Sequence, residues 1–203
     1  IMLFSILIHD EPNSAALRDE HRAAHLAYLK GFDAQTLFAG PFTDDDETAD
    51  LGSFRLLDLP DRAAAEQHIA DEPYVIGGIQ KRWQIHQWKP SVPYTWRDCP
   101  REEGNIQALF YGTDFPGGMA KRIENRDAHE NYLNDHDNMV MTRGPLLTDD
   151  GSESVGSIWL LDLPNLDAGR ELLKGDPFYK SGIYKEEMLV RWRFGRVFDR
   201  FKV

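Results

Sequence analysis

Two histidines and two carboxylates stand in this sequence at one matched spacing. His25 precedes Glu72 by 47 residues, and His129 precedes Asp176 by the same 47. Imidazole is the side chain whose ordinary pKa lies closest to neutrality. A carboxylate bonded to one ring nitrogen fixes the tautomer and raises the basicity of the other, so such a pair can move protons near pH 7. The same pair can also be a buried hydrogen bond that holds two helices together, and the residue types leave both readings open. Arg22 and Arg126 stand three residues before the histidines, where they could meet an anionic substrate or form an exposed helix salt bridge. Tyr28 and Tyr132, three residues after them, complete the candidate substrate-binding set.

Other chemistries find little support. His21 and His25 have the i, i+4 spacing that can chelate a metal on a helix, but the second histidine region carries Asn125 in place of His21. The single cysteine, Cys99, excludes an internal disulfide and a cysteine-based zinc site. The acidic stretches Asp44-Asp45-Asp46-Glu47 and Asp149-Asp150 lack the alternating ligands and closing glutamate of an EF-hand loop, and read as solvated hairpin turns. There is no G-x-G-x-x-G, phosphate-binding loop or G-x-S-x-G. The residues therefore call for no metal and no cofactor.

The elements that must position the pairs come from an internal repeat. At a constant offset of 104, Leu56-Leu57-Asp58-Leu59-Pro60 recurs as Leu160-Leu161-Asp162-Leu163-Pro164. Gly40-Pro41 recurs as Gly144-Pro145, Gly52-Ser53 as Gly156-Ser157, Arg18 as Arg122 and Trp88 as Trp192. In each copy an apolar run of strand length (3–8, 106–111) precedes a helix that Asn13 or Ser14 can cap in the first copy. Leu17, His21, Ala24, His25, Tyr28, Leu29 and Phe32 share one face of that helix at spacings of three and four. Strands at 35–40 and 52–59 follow, then a helix capped by Asp61 that must end near Glu72, because the residue before Pro73 is pushed out of helical geometry. A last strand runs from about 82 to 88, and the second copy reads alike, with Asn165 as cap. The order β-α-β-β-α-β is the split βαβ or ferredoxin-like arrangement. Such a sheet covers one face with helices and leaves the other bare. The expected fold is therefore α+β, with tandem ferredoxin-like repeats pairing sheet to sheet into a pseudo-dimeric α+β barrel. The expected boundaries are 2–90 and 105–203, joined by a proline-containing connector at 91–104.

With 34 acidic against 23 basic residues the net charge is −11. That field repels a phosphate backbone, so nucleic acid is not an expected partner. No apolar run reaches the ~18 to 20 residues of a membrane span. A cytoplasmic monomer with an internal pseudo-dimer, acting on a small molecule, is the plain expectation.

The stretch Arg22-Ala23-Ala24-His25-Leu26-Ala27-Tyr28-Leu29, followed by Ala39-Gly40-Pro41-Phe42 and Glu72-Pro73-Tyr74-Val75, resembles the YCII-related (YciI-like) family. So does Arg126-Asp127-Ala128-His129, followed by Gly144-Pro145 and Asp176-Pro177-Phe178. The resemblance implies a ferredoxin-like fold that pairs into a dimeric barrel, and an active site built on a His-Asp pair. One branch of the family is similar to a dehydrochlorinase of chlorinated hydroxyhydroquinones. Carried over by position, the pair falls on His129 and Asp176. In the first copy it falls on His25 and Glu72, a departure by one methylene that displaces the carboxylate by about 1 Å, a scale that matters in catalysis. The expected function is a cofactor-independent lyase or isomerase using general acid–base chemistry on an aromatic or ring-derived molecule. The alternative is a non-catalytic ligand-binding or protein-interaction module that keeps the dyad as scaffold.

Overall fold

The computed structural model describes residues 2–201 of the 203. They form two compact units: residues up to Gln87 together with those from Trp192 on, and Trp88–Arg191. In the first unit β1 (Met2–Asp10), α1 (Ala15–Lys30), β2 (Thr36–Thr43), β3 (Asp50–Leu59), α2 (Arg62–Ala70), α3 (Pro73–Ile76) and β4 (Gln80–Trp88) follow one another. The antiparallel sheet has the order β4-β1-β3-β2. Side chains alternate between faces along a strand, so Phe4, Ile6 and Ile8 of β1 join Leu57 and Leu59 of β3 under Ala65 and Ile69 of α2. Burying each of the larger apolar chains contributes roughly 1.5–3 kcal/mol. Asp61 caps α2 by accepting from the Ala64 amide at 2.8 Å. Pro73 takes the first position of α3, where its missing N–H is no loss. The residue before it, Glu72, has the extended backbone that proline requires.

The second unit repeats the plan with β5 (Ile106–Asp114), α4 (Met119–Asn134), β6 (Val140–Leu147), β7 (Ser154–Leu163), α5 (Leu166–Gly175), α6 (Pro177–Lys180) and β8 (Tyr184–Trp192). Its strand order is β8-β5-β7-β6. Asn165 caps α5 through the Ala168 amide at 3.0 Å, as the sequence predicts. Ala108, Phe110, Trp159, Leu161, Leu163, Leu172 and Leu173 share its core. Each half is thus ferredoxin-like. The hairpin reading of the acidic stretches also fits the structure. Asp44 accepts from the amides of Thr48 and Ala49 at 2.7 and 3.1 Å, closing the turn between β2 and β3. Among the described residues, no helix is long and apolar enough to cross a membrane.

Two details differ from the sequence-based expectation. First, the stripe of α1 is turned. Leu17 is 41 % exposed, whereas Arg18, His25 and Leu29 are buried. Arg18 goes inside because its charge is met there, by Asp10 at 2.5 Å, Asp50 at 3.1 Å, and the Gly52 carbonyl and Ser53 hydroxyl at 3.3 Å. Second, the residues from Trp192 on, expected within the second repeat, belong to the first unit. They form a strap over β2, with the Arg193 amide donating to the Pro41 carbonyl and the Gly195 amide to the Ala39 carbonyl. A 3-10 turn (Arg196–Phe201) follows and buries Val197 and Phe198. In the second unit Lys89 to Ser91 make the matching strap over β6, through the Pro145 and Arg143 carbonyls. Gly40 and Gly144 are required at these crossings. A Cβ on either would collide with the backbone carbonyl of Arg193 or Lys89, respectively.

Candidate active site

Helix α4 presents His129 to the start of α6, where Asp176 is the N-cap. His129 Nδ1 lies 2.5 Å from Asp176 Oδ1, and the carboxylate is fully buried. An ionised carboxylate can only accept, so Nδ1 carries the proton and Nε2 is left as the basic nitrogen. Among the described residues Nε2 has no protein partner. The other carboxylate oxygen, Oδ2, accepts from the Tyr179 amide at 3.2 Å. One short side chain thereby caps a helix and orients an imidazole. The His129 ring lies parallel to Phe178, with centroids 3.8 Å apart. Its neighbour on the sheet is Trp159, at 6.3 Å.

In the first unit His25 Nδ1 bonds Glu72 Oε1, and the ring stacks on Tyr74 at 3.9 Å. The surroundings differ. Arg55 fills the helix-facing position on β3 that Trp159 fills on β7, and it is 1 % exposed. Its Nη1 donates to His68 Nε2 at 2.9 Å, which places the His68 proton on Nδ1, 3.4 Å from the Tyr28 hydroxyl. Arg55 Nη2 lies 3.8 Å from Glu72 Oε2, too far for a hydrogen bond, and neither atom has a partner. Burial pushes the His68 imidazole down to about 3, with Arg55 adding to the effect. Burial also holds His25 below its ordinary value and outweighs the Glu72 hydrogen bond. For Glu72 burial acts upward, but Arg55 and His25 together hold the carboxyl low. Glu72, one methylene longer than Asp176, makes no side-chain cap to α3.

Both histidines line a cavity, and the two cavities are very different. The space beside His129 measures about 570 Å³, within the range of small-molecule sites. That beside His25 measures about 60 Å³, enough for a few waters. The first-unit strap, with Gly195, Arg196 and Val197, closes over His25, whereas Lys89, Pro90 and Ser91 leave the second site roomier. A further groove of about 600 Å³ in the first unit runs past Arg18 and Arg22 but does not reach His25.

The candidate residues separate cleanly. His129 and Arg126 line the larger cavity, and His25 and Arg22 the smaller. Arg126 is exposed and has no side-chain partner among the described residues, whereas Arg22 pairs with Asp19 at 2.6 Å. Tyr28 and Tyr132 line neither of these two cavities. Their hydroxyls donate to the carbonyls of His68 and Leu172 at 2.8 and 2.9 Å, so they brace α1 against α2 and α4 against α5. Burial pushes the Tyr28 hydroxyl up to about 12. Several site residues escaped the sequence reading. Arg122 lines the larger cavity with His129, paired with Asp114 at 2.6 Å and Ser157 at 3.0 Å, its guanidinium 4.9 Å from the Phe178 ring. Arg143 lines the same cavity, held by Glu130 at 2.9 Å and Asn134 at 3.0 Å. The joint recurrence of Asp10/Asp114, Arg18/Arg122 and Ser53/Ser157 at offset 104 is the signal that could have located the buried arginine network.

No curated protein matches the sequence. Over nearly their whole lengths the chain resembles two solved structures. One is a mutant chlorite dismutase from Candidatus Nitrospira defluvii, 11 % identical, with a TM-score of 0.61 over 98 % of this chain and 94 % of that one. The other is an anthrone oxidase-like protein, 12 % identical, with a TM-score of 0.57 over 95 % and 91 %. At such identities the likeness is one of fold, and the structural relatives are dimeric α+β barrel proteins. The 5-chloro-2-hydroxyhydroquinone dehydrochlorinase of Burkholderia phenoliruptrix, solved with 2,5-dihydroxybenzoquinone, is 29 % identical over 43 % of this chain and 94 % of its own, with a TM-score of 0.41. The YCII-related domain model matches twice in tandem, at residues 2–89 and 106–193, and each match spans one His-carboxylate pair. This chain is a member of the YCII-related family carrying two copies of its domain.

Proposed function

We propose that the second unit is a cofactor-independent acid–base enzyme, a lyase or isomerase of a small, ring-sized, anionic molecule. The observation that carries the reading is the buried His129–Asp176 pair in the wall of a cavity of about 570 Å³. Nε2 takes a proton from the substrate, and Asp176 stabilises the imidazolium that forms. In an isomerisation the proton returns to a different substrate atom. In an elimination the leaving group departs with its bonding pair and the proton passes on to solvent. Arg126, with Lys89 and Arg143 in the same wall, supplies positive charge for an anionic group. In the first unit the cavity of about 60 Å³ favours the scaffold reading of His25 and Glu72.

The test is a pair of variants, His129→Asn and His25→Asn, assayed on hydroxylated and halogenated ring acids and lactones. His129→Asn is expected to lower turnover ~10²-fold or more, while His25→Asn mainly lowers stability, by ~1–3 kcal/mol. Equal losses of turnover would overturn the assignment of chemistry to the second unit.

A further inference from the structure

We infer that the small cavity of the first unit binds one small oxyanion, a carboxylate- or phosphate-like group with no ring attached. Five arginines line it, Arg18, Arg22, Arg55, Arg193 and Arg196, with Asp50 as its lining carboxylate. Four carboxylates meet four of these cations: Asp10 and Asp50 hold Arg18, Asp50 also holds Arg193, Asp19 holds Arg22, and Glu72 stands opposite Arg55. Arg196 has no partner among the described residues. One positive charge is therefore left over, in a chain whose net charge is −11.

A second observation points to the same ligand. Arg55 lines this cavity, and its buried Nη2 has no acceptor. A buried guanidinium N–H left unpaired is costly, and an oxyanion supplies acceptors in the planar geometry that guanidinium matches. A single water between Nη2 and Glu72 Oε2 would satisfy those two atoms but leave Arg196 unmatched. The volume, about 60 Å³, accommodates acetate, nitrate or inorganic phosphate and excludes an aromatic ring. The second unit lacks this arrangement, having Trp159 where the first has Arg55 and Val92 where it has Arg196. The inference does not depend on the acid–base reading of His129.

Calorimetric titration of the full chain with acetate and with inorganic phosphate, at constant ionic strength, tests it. One saturable site is expected for at least one of the two, and their relative affinities separate a carboxylate site from a phosphate site. Arg55→Met is expected to weaken binding about tenfold or more, and Arg196→Ala severalfold. Arg126→Ala, in the other cavity, is expected to leave it unchanged. Arg196 is exposed, so its variant decides the question even if Arg55→Met does not fold. No saturable binding, affinity unchanged by Arg196→Ala, or loss of the site in Arg126→Ala would each overturn the proposal.

Discussion

The imidazole of His129 lies flat on the ring of Phe178, with 3.8 Å between centroids and 13° between planes. Stacking fixes the ring plane, and the bond to Asp176 fixes its rotation, so Nε2 has a defined direction. Phe178→Leu keeps an apolar side chain but removes the flat surface. Turnover is expected to fall by ~10- to 10²-fold, the scale of a small misplacement of a catalytic group, with a stability loss of about 1 kcal/mol. Steady-state kinetics and urea unfolding check the two halves. Unchanged turnover would show that Phe178 serves only packing.

Asp176 performs two tasks that glutamate cannot combine at this length. In Asp176→Glu the cap to the Tyr179 amide is expected to be lost, lowering stability by ~1 kcal/mol, and the imidazole to shift, lowering turnover by ~10²-fold. The first unit already carries that arrangement at Glu72. The reverse change, Glu72→Asp, should gain the missing cap yet leave turnover alone. A rise in turnover from Glu72→Asp would locate activity at His25 instead.

The pH dependence of stability should be concentrated in the first unit. His68 accepts a proton near pH 6.5 when unfolded but only near 3 when folded. Between those values the unfolded chain binds more protons, so stability falls as pH drops from about 6.5 toward 3. His25, also held low, acts in the same direction, as does Glu72, whose charged form the fold favours. From pH 7 to pH 4.5 the His68 contribution should lower the unfolding free energy by roughly 2–3 kcal/mol. His68→Leu, matching Leu172 of the second unit, removes that slope whatever its constant cost at Arg55. Parallel pH profiles for the variant and the parent protein in urea unfolding would contradict the assignment.

Gly144 lets the Lys89–Ser91 strap cross β6. Gly144→Ala forces the Lys89 carbonyl away and is expected to cost ~1–3 kcal/mol, the usual range for overpacking. The Ser91 amide, bonded to the Arg143 carbonyl at 2.8 Å, should then exchange its hydrogen faster. Unaltered exchange at Ser91 would mean that the strap tolerates the methyl group.

The repeat made most of the fold legible. Apolar runs, the caps at Asp61 and Asn165 and the prolines after Glu72 and Asp176 are local signals, and each sits where the structure has an element boundary. The His-carboxylate pairs were legible because the repeat aligns them. The burial of Arg18, Arg55 and Arg122 was not. A hydrophobic stripe assigns charged residues to solvent, and only the partners delivered by distant strands, such as Asp10 on β1 and Ser53 on β3, make their burial affordable. The closing of the first cavity was equally hidden, since it depends on residues 195–197, far along the chain from His25. The bonds of the Tyr28 and Tyr132 hydroxyls to helix carbonyls were hidden too, because spacing on a helix does not say where a hydroxyl ends.

That Arg55 stands where the second unit has Trp159 has a consequence for how such a protein can change over time. Where a single domain is encoded once and two identical chains assemble, every substitution arrives in both copies. A guanidinium buried in one core would then be buried in the other as well. Encoding the two domains in one reading frame removes that constraint. Each half can accept or refuse a mutation separately, so the pocket beside His129 can keep its aromatic wall while the one beside His25 fills with charge. Tandem duplication is what lets two sites that began as equals come to differ in this way.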